Sequence, residues 1–119
     1  MKVLLASLTA VSLVAGGWAT ISADPLPEQI SVGAKIPLNF LVKQHGVTPL
    51  AGLKPTVLIN QGSDAPTKFA ASEGKATGWY TATLSFPKPG DWHITIESGF
   101  GKSKTTLPIQ KVVGRIVSQ

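Results

Sequence analysis

An immunoglobulin-like β-sandwich of about seven strands, carried behind an N-terminal leader, is the fold class this sequence predicts. Three observations predict it. Segment after segment alternates apolar and polar residues with period two, and nothing past the leader carries a helical stripe. Gly and Pro, 12 and 9 of the 119 residues, punctuate those segments as turns. There is no cysteine, which excludes disulfides, thiolate metal sites and CxxC redox chemistry and leaves the sheet core to hold the fold alone. The length fits one domain. A small closed barrel is the rival architecture.

The leader comes first. Met1 and Lys2 give a positive start, Val3 to Ala15 is almost purely apolar, and small residues follow up to Ala23, before Asp24-Pro25. This is the three-part layout of a secretory signal peptide. Its apolar run falls short of the ~20 residues a bilayer span requires. Cleavage is expected after Ala23, so residues 1–23 are read as signal peptide and 24–119 as the domain. Ala19, with Gly17 two residues before it, is the alternative site, and an uncleaved anchor is the other reading. Trp18 falls inside the leader and is set aside. The protein is therefore expected to be exported, to the periplasm or the cell exterior, with no membrane span after cleavage. The mature chain would keep ten basic and six acidic side chains.

The strands follow in order. Gln29 to Val32 reads as a short first strand, ended by Val32-Gly33. Ile36, Leu38, Phe40 and Val42 alternate with polar or flanking residues in a second strand, whose Pro37 must sit near its start or at an edge. Gln44-His45-Gly46 opens a connection that runs to Leu53. Thr56 to Gln61 is the third strand, with Val57 and Ile59 on one face, and Lys68 to Ala71 a weak fourth. Tyr80, Ala82, Leu84 and Phe86 mark the fifth. After the turn at Pro87-Lys88-Pro89-Gly90, Trp92, Ile94 and Ile96 mark the sixth. The Gly99 to Ser103 turn leads into Thr105 to Val113, where Pro108 indicates an edge. Gly114 to Gln119 reads as a tail.

Two stretches carry a family resemblance. Phe40-Leu41-Val42-Lys43-Gln44-His45-Gly46-Val47-Thr48-Pro49-Leu50-Ala51-Gly52-Leu53 is similar to the F-x-V-x-Q-H-G-x-x-P-L-x-G-L stretch of YtkA-like domains. Gly78-Trp79-Tyr80-Thr81-Ala82-Thr83-Leu84-Ser85-Phe86-Pro87-Lys88-Pro89-Gly90-Asp91-Trp92 resembles their G-x-Y-x-A-x-L-x-F-P-x-x-G-x-W stretch. The resemblance covers the chain from about Gln29 to about Val112. It implies a secreted bacterial Ig-like sandwich of the sort found beside respiratory or copper-handling proteins, and it supplies no catalytic motif.

The residues agree with a non-catalytic role. There is no Gly-x-Ser-x-Gly elbow and no His-Glu-x-x-His pair. The carboxylates Asp64, Glu73, Asp91 and Glu97 are scattered. The basic residues are spread over strand ends and loops without aromatic interleaving, which argues against nucleic acid. No cofactor is expected. The alternative is copper: Met1 is the one methionine and cysteine is absent, so a Cu(I) site lacks its soft ligands, whereas Cu(II) would accept an imidazole. His45 is the candidate ligand. His93 is out of phase with Trp92 and Ile94, and an Ig-type strand order puts it about 20 Å from His45.

Recognition is the remaining function class. In an Ig-type order the His45 connection and the turn after Gly99 share one end of the sandwich, where loops commonly carry binding. That end would present Gln44, His45, Phe100, Lys102 and Lys104. Phe100 is read either as an exposed contact or as a plug folded into its own turn. Trp79 is a second candidate contact, and Trp92 is assigned to the core. The functional expectation is a non-catalytic module binding an extracytoplasmic protein, an envelope or respiratory component, with Cu(II) handling through His45 as the alternative.

Overall fold

A computed structural model describes residues 18–114. The apolar run at 3–15 and most of the tail lie outside the described residues. Among the described residues there are eleven strands and no helix. They are β1 (Ala19–Ala23), β2 (Gln29–Ser31), β3 (Ile36–Gln44), β4 (Thr48–Pro49), β5 (Thr56–Asn60), β6 (Thr67–Ala70), β7 (Ser72–Glu73), β8 (Trp79–Leu84), β9 (Gly90–Glu97), β10 (Lys104–Thr106) and β11 (Gln110–Val113). One sheet has the order β1-β3-β8-β7, with β4 on the end of β3. The other has the order β2-β11-β9-β5-β6, with β10 also paired to β9. Every pairing is antiparallel except β2 with β11. The sheets do not close on one another, so the fold is the Ig-like sandwich and not the barrel.

Side-chain alternation builds the core. Leu38, Phe40 and Val42 of β3 and Tyr80, Ala82 and Leu84 of β8 point inward from the first sheet. Val57 and Ile59 of β5, and Trp92, Ile94 and Ile96 of β9, answer them from the second. Trp92 is only 4% exposed. It packs edge-on to Phe86 with ring centroids 5.4 Å apart, and its indole N–H donates to the Lys88 carbonyl at 3.0 Å.

Pro37 lies in a strand paired on both sides, and the register explains why it is tolerated. Val42 donates to Gly78 toward β8, whereas Asn39 accepts from Asp24 on the β1 side. Odd-numbered residues of β3 thus turn their backbone groups toward β1, and β1 ends at Ala23, opposite Phe40. Pro37 sits beyond that point, so its missing N–H removes no ladder bond. The final strand divides at Leu107-Pro108-Ile109 into β10 and β11, both held on β9.

The sandwich takes in residues that the sequence reading placed in the leader. Ala19, Ile21 and Ala23 face inward and Thr20 and Ser22 outward, as a strand requires. All five pair with β3, from Ala19 opposite Gln44 to Ala23 opposite Phe40. The chain then crosses to the second sheet through Pro25 and Pro27 and starts β2. Buried Gln110 holds that crossing, its side-chain amide 3.0 Å from the Pro27 carbonyl and 3.3 Å from that of Glu28.

The long connection between β3 and β5 is tied down by Tyr80. Its phenol donates to the Leu50 carbonyl and accepts from the Leu53 N–H at 3.1 Å. Tyr80→Phe keeps the stack on Phe40 (centroids 6.0 Å apart) but orphans both backbone groups. It is expected to cost about 1–2 kcal/mol in a urea unfolding titration. An unchanged midpoint would show that water satisfies them equally well.

Candidate functional site

The β3–β4 turn brings Gln44 and His45 to one end of the sandwich. His45 and Gly46 both have left-handed backbones, φ 50° and 74°, and the Val47 N–H closes the turn on the Gln44 carbonyl at 2.9 Å. Two consecutive positive φ values are the geometry of a type I′ turn, which Gly serves best and His tolerates at some cost. The result is an imidazole held out at the tip, exposed.

The β9–β10 turn arrives at the same end. Buried Ser98 organises it: its hydroxyl accepts from the Phe100 N–H at 2.9 Å and lies 3.1 Å from the Phe100 carbonyl. Gly99, at φ 78°, lets the turn lie against the Lys54 backbone, which a Cβ there would meet at 3.0 Å. Phe100 is half-buried but is not one of the side chains packed on the core. Lys102 and Lys104 are exposed.

β1 joins the two turns. The Ala19 N–H donates to the Ser103 hydroxyl at 2.8 Å, across the gap between sheets. One residue earlier, the Trp18 carbonyl accepts from the His45 N–H at 2.9 Å. The Trp18 ring lies against the His45 imidazole with centroids 5.1 Å apart, while 55% of the residue stays exposed. Trp18, set aside in the sequence reading as part of the leader, is an element of this surface.

Beside the joined turns is an open cleft of about 440 Å³, lined by Lys54, Thr56, Glu97, Lys102, Ser103 and Lys104 together with turn glycines. Thr56 and Lys104 flank Glu97 in register on neighbouring strands. Three lysines and one glutamate thus line the same cleft. Sequence reading named Lys102 and Lys104 but missed Lys54, Ser103 and Trp18. Lys54 was legible in principle, since it precedes the strand whose Thr56 starts at this end.

The other candidates lie elsewhere. His93 is opposite Asn60 on the outer face of the second sheet, not beside His45. Among the described residues no three His, Cys, Asp or Glu side chains stand together, and His45 is not part of such a group. Trp79 is half-buried on the outer face of the first sheet, opposite Leu41, beside a second open cleft with Asn39, Thr81, Asp24 and Lys75.

No family model matches the chain, and no curated protein matches it. Among solved structures it is similar to β-glucosidase from Listeria innocua. In the complex with glucose the TM-score is 0.54 at 15% identity, over 83% of this chain and 16% of that one. In the complex with isofagomine the TM-score is 0.52 at 14% identity, over 84% of this chain and 16% of that one. The chain therefore spans a small part of that enzyme's length, and at these identities the likeness is one of fold.

Proposed function

We propose that this protein is an exported, non-catalytic Ig-like module that binds an extracytoplasmic protein through the end of the sandwich built from the β3–β4 turn, the start of β1 and the β9–β10 turn. One observation carries the reading. β1 lashes the two turns into a single surface, with the Trp18–His45 pair on one side and the Lys54, Lys102 and Lys104 cleft on the other. Exposed aromatic and cationic groups on a backbone held by hydrogen bonds suit protein recognition, because little order must be gained on binding. Gln44, His45, Phe100, Lys102 and Lys104 are its contact residues, and Lys54 joins them. The excess of ammonium groups favours an acidic segment on the partner. The resemblance to YtkA-like domains points to an envelope or respiratory protein.

The test is site-directed crosslinking. A photo-reactive residue at Phe100 is expected to capture one envelope protein in the exporting cell, and Lys102→Glu with Lys104→Glu to abolish that capture. The yield is expected to fall as salt rises past roughly 0.1 M, where the screening length is about 10 Å. Capture indifferent to both charge reversal and salt would overturn the assignment of this end.

A further inference from the structure

We infer that the leader is cut between Gly17 and Trp18, ahead of β1, and not after Ala23; the inference rests on the exported reading. The signal-peptidase pattern asks for two small residues separated by one. Ala15-Gly16-Gly17 meets it, whereas Ile21-Ser22-Ala23 places a branched side chain at the first small position. The fold separates the candidate sites further. A cut after Ala23 discards every residue of β1 and its five pairings with β3. It leaves the β3 backbone from Phe40 to Gln44 as an open sheet edge, which native sandwiches avoid or guard. A cut after Ala19 keeps Thr20 to Ala23 but discards the two residues that join the turns. The bonds from His45 N–H to Trp18 and from Ala19 N–H to Ser103 go with them.

A cut after Gly17 keeps all of these. Peptide-bond hydrolysis there consumes one water and releases the leader with a Gly17 carboxylate. The mature chain begins with the α-amine of Trp18. Processing thus adds a cationic terminus to the end that already holds Lys54, Lys102 and Lys104, with the Trp18 ring against His45.

The experiment is to express the full precursor in an exporting bacterial host, isolate the extracytoplasmic protein and read its amino terminus by Edman degradation and intact mass. A terminus at Trp18 is expected. Two variants localise the cut without removing β1: Gly17→Val is expected to make uncut precursor accumulate, and Ala23→Val to be processed normally. A terminus at Asp24 or Thr20, or a block by Ala23→Val alone, overturns the inference and leaves export standing. Protein that stays in the cytoplasm with its leader overturns the exported reading and the inference with it.

Discussion

A chain beginning at Asp24 is expected to unfold at markedly lower urea than one beginning at Trp18, with a stability loss on the order of 3 kcal/mol. Two terms set the size. The inward faces of Ala19, Ile21 and Ala23 pack on the core from the open side of β3, and half-burying an Ile side chain is worth about 1 kcal/mol. The strand ladder, with the Trp18 and Ala19 backbone bonds beside it, adds several hydrogen bonds at ~0.5–1.5 kcal/mol net each. The conformational entropy regained by the released strand opposes these terms. Against the ~5–15 kcal/mol of an ordinary domain, a loss of this size is a large fraction, and this domain has no disulfide to offset it. Removing β1 also removes area exposed on unfolding, so the urea m-value is expected to fall slightly. Equal midpoints for the two chains would show that β1 adds nothing to the fold.

Gly78→Ala is expected to cost about 2–4 kcal/mol, and Gly33→Ala much less. Both glycines have left-handed backbones, φ 87° and 81°, where an L side chain costs ~1–2 kcal/mol. They differ in surroundings. A Cβ on Gly78 would come within 2.7 Å of the Pro49 Cβ and 3.0 Å of Leu41, whereas nothing lies within 4 Å of one on Gly33. The clash adds an overpacking cost of ~1–3 kcal/mol. Gly78 is also buried beside β3, its carbonyl accepting from Val42 at 2.8 Å, so displacement of its backbone would disturb the ladder that presents Gln44 and His45. Thermal or urea unfolding of both variants separates the two terms. Equal losses would mean that conformation alone governs Gly78 and that Pro49 moves aside freely.

The candidate site shows where sequence reasoning ran short. Gln44, His45, Phe100, Lys102 and Lys104 could be placed at one end because strand order dictates which loops are neighbours, and the structure puts their two turns there. Trp18 with His45 and Ala19 with Ser103 could not be paired from sequence. They meet only because β1 pairs along the edge of β3, and Ala19-Thr20-Ile21-Ser22-Ala23 carries two signals at once. Small and apolar residues before Asp24 read as the end of a leader, and the same residues alternate as a strand. Local pattern cannot choose between them, since only the vacant edge of β3 gives the strand a partner.

The amino-acid sequence by itself determined the class of fold and the identity of the core. Period-two alternation places Leu38, Phe40, Val42, Tyr80, Ala82, Leu84, Trp92, Ile94 and Ile96 on one face of their strands, and burying those faces against each other is the dominant favourable term available to a chain without cysteine. Tertiary structure alone decided that residues 19–23 pair as a strand along β3, why Pro37 is tolerated and which lysines share a cleft. Each depends on which backbone edge or side chain lies across a gap from residues distant in the chain, as Ala19 lies from Ser103 and Lys54 from Gly99. Alternation specifies which face of a strand turns inward, but not which strand comes to lie beside it.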